Sequence, residues 1–341
     1  MPVSVVIGGQ FGSEGKGKVA HYFSQKFETV GVVRVGGTNS GHTVVSSNGT
    51  EYIFRMLPTA AIDPSIMSIM PSGSYIDPDI LSSEIRKIGI SQDNLKIDPF
   101  AVIIDQAMIN EEQQFNLCER IGSTQSGTGA AVLKRLSRIK GICFAKDCKE
   151  LTPYIIDTKD LMRGLLNNNK HIIVEGTQGF GLSPINAPYF PYCTSRDTTV
   201  AGFLMEAGLS PFDVENVIMV IRTYPIRVSG NSGPLPKETD WDSVTRSSGA
   251  TNDLTEYTSA TKRIRRVAEF DNDIVKRAIL VNQPNIIVLN HLDYIDYTCH
   301  DSDNPSDLII AFIDKVSESI GQRIDYIGMG KASVLSNYRE D

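Results

Sequence analysis

The chain opens with Val3-Ser4-Val5-Val6-Ile7 and runs straight into GGQFGSEGKGK, Gly8 to Lys18. A short β-branched apolar run reads as a buried strand. Glycines at 8, 9, 12, 15 and 17 let the backbone come close to an anion. The helix expected next would aim its N-terminal N–H groups at that anion, and Lys16 adds a full positive charge. The segment is not a Walker A loop. Gly9 to Gly15-Lys16 is one residue too long, and Gly17 stands where a magnesium-binding Ser or Thr would be. A plain tight turn needs fewer glycines than this. The segment therefore predicts strand, phosphate loop and helix at the start of an α/β fold.

Outward from there, apolar β-rich runs recur at Val30–Val35, Ala101–Ile104, His171–Val174, Val217–Ile221 and Asn285–Leu289. Amphipathic stretches lie between several of them: Lys18–Phe27, Asp77–Ile88, Thr158–Asn167, Thr198–Ala207, Ile264–Leu280 and Ser306–Ile320, the last with Ser306 as N-cap. Strands alternating with helices predict an α/β fold with a mostly parallel central sheet flanked by helices. Asn48-Gly49 predicts a hairpin turn between Thr43–Val45 and Tyr52–Phe54. No repeat, low-complexity tract or linker interrupts residues 1–341, so one domain is expected. Polar, glycine-bearing segments at 36–43, 122–129, 176–197, 228–240 and 246–263 are the expected ligand loops.

The net charge of -7 gives no general attraction to a nucleic acid backbone. No apolar run is long enough to span a bilayer, and no signal peptide precedes the glycine loop. The five cysteines form no C-x-x-C pair and read as free thiols. A cytoplasmic protein is expected, with no nucleic-acid or membrane partner.

A second loop, Arg34-Val35-Gly36-Gly37-Thr38-Asn39-Ser40-Gly41-His42-Thr43, carries a histidine suited to acid–base work near neutral pH. At this point the residues resemble the adenylosuccinate synthetase family. Its first loop reads G-x-Q-W-G-D-E-G-K-G-K and its second G-G-H-N-A-G-H-T. The resemblance continues in order: GSTQSGTG at 122–129, Arg138, VEGTQG at 174–179, FPYCTSRDTT at 190–199, TKRIRR at 261–266 and LNHLD at 289–293.

The resemblance implies a magnesium-dependent ligase that joins L-aspartate to C6 of a purine nucleotide. The purine 6-oxygen first takes the γ-phosphoryl group of a nucleoside triphosphate, and the aspartate amine then displaces phosphate. Carried onto this chain, the catalytic set is Lys16, His42, Gln178 and Ser13. Ser13, Asn39, Thr124, Arg138, Gln178 and Thr194 would hold the substrate monophosphate. Arg138 would reach into the neighbouring subunit of a homodimer. Thr261 and Arg263 would hold aspartate, a task suited to the planar guanidinium. Gly12, Glu14, Gly15, Lys16, Gly17, Gly41, His42, Thr43, Arg265, Asp293 and Gly330 would bind the triphosphate. Ser13 and the Gly41 carbonyl would face Mg²⁺, a hard ion that prefers oxygen.

Three departures shape the reading. The family's first-loop aspartate is Ser13 here. A lone hydroxyl cannot replace that carboxylate as a base, but it leaves room beside N1 for a 2-amino group and can accept from it. This resembles a phage-encoded branch of the family that converts dGMP to N6-succino-2-amino-2′-deoxyadenylate, the precursor of 2-aminoadenine DNA. Such a protein would work in the host cytoplasm. Second, the base-reading T-K-x-D element is Asn290-His291-Leu292-Asp293, which weakens the case for GTP and favours ATP or dATP. Third, Lys262 and Thr38 stand where the family has glycine and histidine, and neither has an explanation in the sequence. Two alternatives stay open: an IMP- and GTP-dependent adenylosuccinate synthetase, and a non-catalytic nucleotide-binding switch.

Overall fold

The computed structural model describes residues 2–258 and 262–336. Eight parallel strands form its central sheet: β1 Val3–Gly8, β2 Gly31–Arg34, β3 Met67–Met70, β4 Leu95–Ile97, β5 Ile172–Glu175, β6 Val214–Arg222, β7 Ile286–Asn290 and β8 Tyr326–Ile327. Their order across the sheet is β8-β7-β6-β1-β5-β2-β3-β4. The chain builds the β2–β4 side of β1 first, returns with β5 between β1 and β2, and then builds the β6–β8 side. β1 is thus the switch point, where an open parallel sheet leaves a crevice at its carboxyl ends.

The apolar runs form strands because both sheet faces are covered. Val5 and Ile7 enter one core cluster with Phe203, Ile221 and Leu289, while Val6 enters another with Val19, Phe23, Ile218 and Val288. All of these side chains are buried, and Ile7→Ala would cost about 2–5 kcal/mol. Helix α1, Lys16–Lys26, follows the glycine loop and packs Val19, Ala20 and Phe23 onto the sheet. Thr158–Asn167 is helical as expected, capped by Asp157, and Asp307–Ile320 is capped by Ser306. The hairpin forms between His42–Val45 and Glu51–Phe54.

Three expectations need correction. Ala101–Ile104 yields only Val102–Ile103, which pairs with Tyr75–Ile76 outside the central sheet. Ile264–Leu280 is not one helix. Arg266–Ala268 is a strand bracketed by Ile226–Arg227 and Glu238–Thr239, and the helix starts at Asn272 with Asp271 as its cap. A strand this short, followed by an apolar helix, mimics one long amphipathic run. Finally, β3, β4 and β8 were not foreseen. Among the described residues no helix is long and apolar enough to cross a membrane.

Candidate active site

The site gathers at the carboxyl ends of β1, β2, β5, β6 and β7. Directly after β1, the glycine loop closes around a side chain of its own. Glu14 is fully buried, and its Oε1 accepts from the backbone N–H of Gln10 at 3.2 Å and of Gly12 at 2.7 Å. Its Oε2 accepts from Lys16 Nζ at 2.6 Å. An anion therefore does sit in the glycine cradle, and it is this carboxylate. Gly15, at φ 89°, supplies the left-handed turn into α1. At Gly17 a Cβ would lie 2.8 Å from Thr59 Cγ2, 2.9 Å from the Thr43 carbonyl and 3.0 Å from His42 Cβ. Glycine there lets the first turn of α1 press against the hairpin that carries His42.

His42 belongs to a buried charge cluster. Its Nδ1 donates to Glu175 Oε1 at 2.5 Å, and Arg34 Nη1 donates to the same oxygen at 2.6 Å. Thr59 donates to Glu175 Oε2 twice, from its N–H at 2.9 Å and its hydroxyl at 2.8 Å. The cluster follows from the sheet, since parallel pairing of β2 with β5 sets Arg34 beside Glu175. Burial, followed by the Arg34 charge and then that of Lys16, pushes the imidazole down to about 4 despite Glu175. Burial alone would raise the Glu175 carboxyl, but His42, Arg34 and Thr59 bring it to about 2. His42 is thus a neutral imidazole near pH 7, its Nδ1–H committed to a carboxylate and its Nε2 carrying the lone pair.

Ser13 adopts a left-handed conformation, φ 56°, and its carbonyl accepts from Arg222 Nη1 at 2.9 Å. Arg222, at the end of β6, is fully buried and pairs with Glu256, which also accepts from Arg265 Nη1 at 2.7 Å and Tyr294 Oη at 3.1 Å. Burial would raise Glu256, but Arg222, Arg265 and His291 hold it far below the carboxylate range. Gln178, at φ 63°, lies against the glycine loop, its Cα 3.8 Å from where a Cβ of Gly12 would stand. Its buried Oε1 has no partner among the described residues.

Three loops meet nearby. Asn39 Nδ2 donates to Thr194 Oγ1 at 3.4 Å, and Asn39 Oδ1 is buried without a partner among the described residues. Thr38 Oγ1 donates to the Ser126 carbonyl at 3.3 Å, and Thr124 Oγ1 lies 3.2 Å from Ser126 Oγ. The helix that follows, Thr128–Leu136, has its leading N–H groups already taken: Glu112 accepts from Gly127, Gly129 and Ala130 at 2.6–3.1 Å.

Beyond β7, Asn290 Nδ2 donates to the Glu14 carbonyl at 2.8 Å. Lys18 Nζ donates to the Gly330 carbonyl at 2.8 Å, and burial lowers it to about 8, against the pull of Asp293 and Asp301. Asp293 is 3% exposed; its Oδ2 accepts from His300 Nδ1 at 2.8 Å.

The adenylosuccinate synthetase family model matches residues 5–146 and 143–302. The adenylosuccinate synthetase of Methanococcus aeolicus is 34% identical over 338 residues, covering 97% of each chain. The chain belongs to the adenylosuccinate synthetase family. The Thermococcus onnurineus synthetase is 33% identical over 97% of this chain and 96% of its own. Among solved structures, the cyanophage S-2L succinoaminodeoxyadenylate synthetase, bound to dGMP and to dATP as an energy donor, superposes with TM-score 0.81 at 28% identity, covering 98% of this chain and 95% of that one. The fully ligated adenylosuccinate synthetase of Plasmodium falciparum shares the fold, with TM-score 0.84 at 21% identity over 98% of this chain and 100% of its own. The family is one of carbon–nitrogen ligases acting on purine nucleotides and aspartate.

The structure sets Gln178 against the glycine loop that carries Ser13 and leads into Lys16, and places His42 against α1. Asn39 meets Thr194, with Thr124 in the adjoining loop. Arg263 is exposed and donates to Cys118 Sγ at 3.1 Å, while Thr261 lies outside the described residues. Arg265, expected toward the triphosphate, is committed instead to Glu256. Thr43 is exposed on the hairpin. Arg138 is exposed just past the far end of Thr128–Leu136. At 1.5 Å per residue, that nine-residue helix is about 14 Å long, and Arg138 lies beyond its C-cap. Sequence reasoning missed Arg34, Glu175, Arg222, Glu256 and His300. For the first three a signal existed: each is a charged residue closing an apolar run, and such a charge belongs at the carboxyl edge of a parallel sheet.

Proposed function

We propose that this chain joins L-aspartate to C6 of dGMP with ATP as phosphoryl donor, giving N6-succino-2-amino-2′-deoxyadenylate, ADP and phosphate. The observation that carries this reading is Ser13. It stands where the family's first loop has a carboxylate, while Lys16 at the end of that loop, Gln178 after β5 and His42 on the hairpin keep the family's residues. A hydroxyl in place of a carboxylate would leave space for the guanine 2-amino group and could accept from it. The cyanophage relative bound to dGMP and dATP supports both choices.

In the first step the purine 6-oxygen attacks the γ-phosphorus. The new O–P bond forms as the bond to the β-phosphate oxygen breaks, and the N1 proton passes to solvent. Lys16 and the loop N–H groups spread the charge that moves to the leaving diphosphate. Gln178 orients the 6-oxygen. Incoming phosphate charge favours the imidazolium of His42, and Glu175 is placed to stabilise it, so His42 donates from Nε2 to the transferring group. In the second step the aspartate amine, oriented by Arg263, attacks C6. Phosphate leaves with the 6-oxygen, and the amine loses its proton.

Mg²⁺ fits the donors available. The Gly41 carbonyl, the Ser13 hydroxyl and the Ser40 hydroxyl, buried without a partner among the described residues, are hard oxygens. Those residues hold no group of three or more His, Cys, Asp and Glu suited to a metal, so the ion would come with the phosphates. When bound it neutralises charge on the β- and γ-oxygens.

The second reading, IMP with GTP, is favoured by the archaeal synthetases at 31–34% identity. Phosphate release with aspartate and Mg²⁺ separates the two, comparing dGMP, GMP, IMP and dIMP against ATP and GTP. Turnover with dGMP and little with IMP is expected. Turnover with IMP alone would overturn the proposal.

A further inference from the structure

The subsite beyond β7 contains a carboxylate that is half spent. Asp293 is 3% exposed; its Oδ2 accepts from His300 Nδ1 at 2.8 Å, while its Oδ1 is buried with no partner among the described residues. His300 is fixed from two further sides. Its ring stacks on Tyr297, centroids 4.8 Å apart and planes 12° apart, and its Nε2 lies 3.4 Å from Asp301 Oδ2. Asp301 in turn crowds the turn at Gly330, where a Cβ would collide with its Oδ1. The same turn accepts the Lys18 ammonium. A cavity of about 570 Å³ opens beside it, lined by Asp301, Asp303 and Lys331 on one side and by Val45, Gly49 and Glu51 of the hairpin on the other.

A guanine edge presents two neighbouring donors, N1–H and the 2-amino group, and a carboxylate satisfies them only by giving one oxygen to each. A 6-aminopurine presents one exocyclic donor beside an acceptor nitrogen. We infer that His300, by taking one lone pair of Asp293 Oδ2 and fixing the angle of the carboxylate, biases the triphosphate subsite toward a 6-aminopurine over guanine. This rests on the reading that Asp293 faces the base of the phosphoryl donor. The second donor of guanine would then have to share Oδ2 with His300, a weakened contact in a buried place, with a loss of roughly 10-fold in affinity. His300 touches no reacting atom; it acts through Asp293.

The test is the ratio of kcat/KM for ATP to that for GTP. His300→Phe keeps the stack on Tyr297 and removes the hydrogen bond, and it should move the ratio toward GTP by about 10-fold or more, chiefly through KM. His300→Asn restores an N–H donor and should restore the wild-type ratio. An unchanged ratio in His300→Phe, with wild type still preferring ATP, overturns the role of His300 alone. Wild type preferring GTP overturns the ATP assignment and this inference with it. If His300→Phe does not fold, wild type decides with purine riboside triphosphate, which lacks the 6-amino group. A drop of about 10-fold or more against ATP supports the single-acceptor subsite, and equal use overturns it.

Discussion

Glu175 shows how a residue acquires a role from its neighbours. In sequence it ends an apolar run and resembles any charged strand terminus. Only the parallel register of β2 and β5 sets Arg34 beside it, and only the hairpin brings His42. Lys16 and His42 were legible because their surroundings, glycines and a short polar loop, are written next to them. The cost of this burial is acid sensitivity. His42 and His171 each fall from 6.5 to about 4, chiefly by burial. Between those values the unfolded chain binds protons that the folded chain refuses, so stability drops as pH falls through 6.5 toward 4. Glu175 extends the loss below 4.5, since its proton also prefers the unfolded state. Urea midpoints at pH 7, 5.5 and 4.5 should decline steadily, by a few kcal/mol overall. A flat profile would contradict buried neutral imidazoles.

At the level of elements, α1 and the hairpin form one working unit, joined where Gly17 touches His42 and Thr59. Gly17→Ala places a methyl 2.8–3.0 Å from three neighbours, so either α1 or the hairpin must move. A stability loss of about 1–3 kcal/mol is expected. Because the displaced group is His42, kcat should fall at least tenfold while aspartate KM holds. Steady-state kinetics beside a melting curve would check both. Several of the longer helices were legible, since Asp157 and Ser306 cap theirs and the apolar stripes repeat at helical spacing, but Gln106–Gln114, Thr128–Leu136 and Trp241–Ser248 were not expected. Strands of two to four residues such as β3, β4 and β8 were not, because so few residues carry no period. Their identity comes from the strands beside them.

At the level of the whole molecule, the alternation of strands and helices announced a parallel sheet but not its order. Nothing in the chain says that β5 returns between β1 and β2, and that return builds the charge cluster under His42. Arg138 lies beyond a helix about 14 Å long, and its expected service in a second copy of the chain can be tested with mixed variants. Lys16→Ala and Arg138→Ala should each lose activity as pure proteins. Randomly mixed, half the dimers would be hybrids with one intact site of two, so about a quarter of wild-type activity should return. Hybrid dimers that recover nothing would place Arg138 outside the shared site.

The carboxylate of Glu14 gives the glycine loop a different thermodynamic character from an open cation. Lys16 and the Gln10 and Gly12 amides already hold a carboxylate, so a phosphate drawn to those same groups would compete with Glu14 for them. Nucleotide capture through these groups would be an exchange reaction. Its driving force is the difference between a multivalent phosphate and one internal carboxylate, and a small monoanion gains too little to make the trade. A loop working in this way would filter its ligands by valence before the base is read at all.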